Sequence, residues 1–80
     1  MLQEQLDNLR LPRDLHSEFE DLIRALNAAA DDEAIKREGE MQIAFILGLE
    51  KAKQLRPADI EALYIMFEAA VQERLQRPAE

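Results

Sequence analysis

Apolar residues recur at helical spacing in four blocks of this chain, and the last two blocks carry more than one helical face holds. Leu2, Leu6 and Leu9 stand at offsets of four and three, a stripe of about two turns that predicts a short helix over 2–10. Arg10-Leu11-Pro12 interrupts it, because residues before a proline avoid the helical region. Pro12 suits the first position of a new helix, and Asp14 favours the dipole of its first turn. Leu15, Phe19, Leu22, Ile23 and Leu26 then share one face, roughly a quarter of the circle at about 100° per residue. The pattern predicts a one-sided helix over 12–30, supported by a Glu20–Arg24 pair at i,i+4.

Asn27-Ala28-Ala29-Ala30-Asp31-Asp32-Glu33 marks the next junction, with Asp31 as N-cap. The third helix is expected over 32–55, with Asp32 and Glu33 placed to meet Lys36 and Arg37 one turn on. Residues 43–49 also suit a strand, but the length of the surrounding pattern favours helix. Gly39 weakens the helix locally. The plain reading is that it admits a close neighbour; the sharper one is a hinge or partner contact. Pro57-Ala58-Asp59-Ile60 repeats the start signal of Pro12-Arg13-Asp14-Leu15, and a last helix is expected over 57–76, stopping before Pro78.

The surplus lies on these last two helices. On the third, Ile35, Met41, Phe45, Ile46, Leu49 and Ala52 form one broad stripe, Ile43 and Leu47 a second, and Ala44, Gly48 and Ala52 a row of small residues. On the fourth, Ile60, Leu63, Tyr64, Phe67, Val71 and Leu75 form the main face, with Ala62, Ile65, Met66 and Ala69 broadly opposite. A helix apolar nearly all round is normally buried. The expected fold is all-α, a small helical bundle of three main helices and a short N-terminal one, forming a homodimer through the last two helices. Its expected interface is Ile43, Leu47, Ala62, Ile65, Met66 and Ala69. Burying Ile43, Leu47, Ile65 and Met66 would contribute about 6–12 kcal/mol per protomer, set against association costs of about 4–15 kcal/mol.

Eighty residues make one domain at most, with a thin stability margin. No cysteine is present, which excludes disulfides and thiolate metal sites. The net charge of −7 and pI near 4.6 argue against direct nucleic-acid binding. The polar start Met1-Leu2-Gln3-Glu4 does not resemble a signal peptide, and no apolar run approaches the ~18 residues of a bilayer span. The expected location is cytoplasmic, and the Ala, Leu, Arg, Glu and Gln content suggests a bacterial or phage source.

Catalytic chemistry is scarce. Ser17 is the one serine, threonine is absent, and the single histidine, His16, is the serine's neighbour. Adjacent helical residues point about 100° apart, so they do not form a nucleophile–base pair. No Glu-x-x-His metal pair occurs, and Asp31-Asp32-Glu33 lacks the spacing and glycine of a calcium loop. No catalytic residue, metal or cofactor is therefore expected. Lys36-Arg37 and Lys51-Lys53-Arg56 read as solvated faces. No motif is specific enough to place the chain in a family. The expected function is that of a non-enzymatic adaptor, inhibitor or regulator docking a larger protein through apolar helix faces. The alternative is an acidic nucleic-acid mimic presenting Glu18, Glu20, Asp21, Asp31, Asp32, Glu38 and Glu40.

Overall fold

The computed structural model describes residues 2–76, which form four helices: α1 (Leu2–Asn8), α2 (Arg13–Ala28), α3 (Asp32–Lys51) and α4 (Pro57–Gln76). No strand occurs among the described residues, and the strand-like stretch 43–49 lies within α3. The expected stop before Pro78 borders residues outside the described range.

Helix ends follow local chemistry. Asp31 caps α3, its carboxylate accepting the Ala34 N–H at 2.8 Å. Pro57 opens α4 as expected, whereas Pro12 stands one place outside α2 as its N-cap residue. Three helices stop short of their expected ends. α1 gives way to Arg10 at φ 54, and α2 to an extended Ala29. α3 ends in a Schellman arrangement. Lys53 sits at φ 55, its N–H donating to Glu50 O and the Gln54 N–H to Leu49 O, each at 3.1 Å. These carbonyls are satisfied by chain reversal rather than by further helix, so the apolar pattern beyond them serves loops.

α3 packs chiefly on α4, α2 lies against α3, and α1 bridges α2 and α4. The core meets at three aromatic rings, one from each main helix. Phe19 stands edge-on to Phe45, with centroids 5.1 Å apart, and tilted to Phe67 at 5.5 Å. Around them are buried Leu6, Ile23, Ile46, Leu49, Ile60, Leu63 and Met66. Gly39 fills the plain role expected of it. A Cβ there would stand 3.3 Å from Val71 Cγ2, so the missing side chain lets α3 and α4 approach closely.

The inward row of α3 differs from the expected stripe. It runs Ile35, Gln42, Ile46, Leu49, all buried, while Met41 and Ala52 are exposed. Met41 lies about 140° from Ile46 around the helix, too far to share its face. A glutamine in the inward row hid the true register. On α4 the expected face holds: Ile60, Leu63 and Phe67 are buried, with Tyr64, Val71 and Leu75 half-buried.

α1 is held by both apolar and polar contacts. Leu6 is fully buried, with Leu2 and Leu9 packed beside it. The Gln3 amide donates to Asp7 at 2.9 Å and to Glu20 at 3.1 Å, and His16 Nε2 lies 2.8 Å from Asp7 Oδ1. Glu20 turns to Gln3 and His16 rather than to Arg24, which pairs instead with Asp21. Hydrogen bonds from His16 and Gln3 hold the Asp7 carboxyl below its ordinary value of 3.8. That stabilising effect is present above the ordinary value and is lost as pH falls through the lowered one.

Leu6→Ala is expected to destabilise the whole fold, not only α1, by about 2–5 kcal/mol. Chemical denaturation followed at 222 nm checks this; an unchanged midpoint would mean that α1 does not contribute to the core.

Candidate functional site

Four large apolar side chains remain in solvent on the last two helices: Ile65 at 63% exposure, Met41 at 53%, Ile43 at 41% and Leu47 at 39%. Three of the residues expected at an interface are thus exposed on the folded chain. Ala69 is also exposed, and Ala62 is half-buried. Met66 is a correction: it is only 6% exposed and belongs to the core. Lying about 100° from Ile65, it turns toward the side that α1 covers.

The six residues do not form one patch. Ile43 lines a groove of about 450 Å³ between α3 and α4, floored by Gly39, Gln42, Phe67, Val71 and Leu75 and edged by Lys36, Glu40, Glu68 and Gln72. Ala62, Ile65 and Met66 line a separate hollow of about 380 Å³ closed by Gln5, Asn8 and Leu9 of α1. The outer surface of α3 carries Met41, Ala44 and Gly48, with Ala52 at its C-cap, all exposed and spaced by three or four residues, and Leu47 on the flank. A Cβ on Gly48 would meet nothing within 4 Å, so this ridge faces open space. The groove was missed in the sequence because it needs Val71 and Leu75 brought beside Gly39; the glycine was the only hint.

Among the described residues Gln42 is the sole fully buried polar residue, 1% exposed, and neither its Oε1 nor its Nε2 has a hydrogen-bond partner. An unpaired buried polar group costs about 1–3 kcal/mol. Arg74 is better served. Its guanidinium donates to the carbonyls of Asn27 and Ala29, tying the end of α4 to the end of α2, although its Nε is unpaired. At the other end of the hairpin, the Tyr64 hydroxyl donates to Glu50 Oε1 at 3.3 Å. Burial first, then the charge and hydrogen bond of Glu50, hold the phenol above its ordinary value of 10.

Several acids are engaged within the fold. Asp31 caps α3, Asp21 pairs with Arg24, and Glu20 faces Gln3 and His16, whereas half-buried Glu38 has a buried Oε1 with no hydrogen-bond partner. Arg37 lies 3.6 Å from Glu33, and Arg56 lies 3.4 Å from Asp59. Among the described residues no group of three His, Cys, Asp or Glu side chains is placed to hold a metal, and no helix is long and apolar enough to cross a membrane. His16 and Ser17 share no hydrogen bond; the imidazole is turned to Asp7 and Glu20. No family model matches this sequence, and no curated protein or solved structure shows significant similarity to it.

Gln42→Met keeps the side-chain shape and removes both unpaired atoms. The melting temperature is expected to rise by at least about 4 °C, the shift that 1 kcal/mol produces in a domain of this size; a fall would show that the carboxamide is satisfied in solution. Tyr64 is the only tyrosine, so absorbance at 295 nm reads it alone. Its midpoint is expected above 10, and Glu50→Gln is expected to lower it.

Proposed function

We propose that this chain is a non-enzymatic protein-interaction module, a small helical adaptor, inhibitor or regulator acting through the outer surface of α3 and α4. One observation carries the reading: Met41, Ile43, Leu47 and Ile65 stay in solvent on the two helices that build most of the core. Isolated exposed apolar residues are ordinary, but several along one helix hairpin favour association. The residue inventory points the same way, with a lone histidine committed to Asp7 and no paired nucleophile.

The first partner is a second copy of the chain. Two-fold dimers are the commonest closed arrangement, and they bring one surface against itself. The ridge of Met41, Ala44 and Gly48 suits this. Small residues let helix backbones approach, and Met41 and Leu47 supply flanking apolar area. The groove beside Ile43 and the hollow beside Ile65 then stay available to a larger, heterologous protein.

Light scattering at tens of micromolar is expected to return twice the mass of one chain. Leu47→Glu and Gly48→Gln are expected to return a monomer with the helical signal intact, since both positions are exposed. A wild-type monomer at these concentrations would remove the dimer.

A further inference from the structure

We infer that the α3–α4 groove is a docking site for a basic amphipathic helix of a partner protein, seated by two large apolar side chains one turn apart. This deepens the interaction reading above and rests on it.

Shape sets the length of the occupant. The groove runs from Lys36 to Ile43 along α3 and from Phe67 to Leu75 along α4. At 1.5 Å per residue those stretches are about 10 and 12 Å long, two turns of helix. Two turns present one pair of anchors at i and i+4 or i and i+3. The volume of about 450 Å³ falls in the range of specific binding cavities. Ile43, Phe67 and Val71 give the apolar contact that such anchors need.

Charge sets its class. The rim carries the carboxylates of Glu40 and Glu68 against the single ammonium of Lys36. Both glutamates are exposed, and among the described residues neither has an ion-pair partner. The chain as a whole carries −7. Nucleic acid and anionic membranes bear the same sign and are repelled. A second copy would bring like charge to the same rim. A helix with Lys or Arg beside its apolar anchors meets complementary charge on both sides. Gln42 adds a polar point at the floor: its carboxamide gives up no internal hydrogen bond on turning into the groove, where it can serve an occupant.

The test is selection of random peptides of about 16 residues, some four helical turns, displayed on phage against the intact protein. Enriched peptides are then synthesised and titrated by fluorescence anisotropy. Enrichment is expected for two large apolar residues three or four apart, flanked by Lys or Arg. Binding is expected to weaken at least about tenfold for Glu40→Lys/Glu68→Lys and to weaken with salt. Ile43→Lys is expected to abolish it. All three positions are exposed, so circular dichroism is expected to show intact folds. Amide NMR shifts are expected at Gly39, Val71 and the Gln42 side chain. Enrichment of acidic or uncharged peptides, binding indifferent to the glutamate reversal, shifts centred on Ala62 and Ile65, or no enrichment at all would each overturn the groove assignment. The dimer is read independently. A Leu47→Glu monomer that still binds basic peptides keeps the groove, and a dimer that selects none loses it.

Discussion

The fold depends on Phe19. It is fully buried and touches a ring from each of the other main helices, Phe45 on α3 and Phe67 on α4. A chain of 80 residues buries little surface beyond such a centre. With α2 packed on α3 and α1 spanning α2 and α4, the apolar side chains that reach this centre are sealed. Those that turn from it have no further layer to cover them. Ile65, Met41, Ile43 and Leu47 are exposed for that reason, since no fifth helix lies among the described residues to lie over them.

The α3–α4 contact decides the shape of what is left. Gly39 lets Val71 come close at one end, and Tyr64 reaches Glu50 at the other. Around the Gly39–Val71 contact the helices enclose a groove rather than a flat face. Gln42 stands in the inward row with no partner for its carboxamide. An apolar residue there would suit stability better. A polar residue kept at such a cost lies where a sequence departs from what folding alone favours, a common mark of function.

Polar chemistry mostly serves the ends and joints of the helices. Asp31 caps α3, Lys53 and Gln54 close it, Arg74 satisfies the last carbonyls of α2, and Gln3, Asp7, His16 and Glu20 fasten α1 to α2. Two acidic residues without an ion-pair partner among the described residues, Glu40 and Glu68, lie beside the apolar lining of the α3–α4 groove.

The sequence by itself determined the four helices, the Asp31 cap, the Pro57 start, the core faces of α2 and α4, and the presence of spare apolar residues on the last two helices. These are local matters, written in spacing, proline position and capping chemistry. Helix ends were less legible, because the left-handed residues that close α1 and α3 are Arg10 and Lys53 rather than glycine, and α2 ends at an extended Ala29 within a run of alanines. Only the tertiary structure decided which spare residues stay in solvent. It drew Met66 under α1, left Met41 outside, placed Gln42 in the core, and divided the expected interface between a groove at Ile43 and a hollow at Ile65. Those outcomes depend on where neighbouring helices lie, and periodicity along one helix carries no information about which of its flanks another will cover.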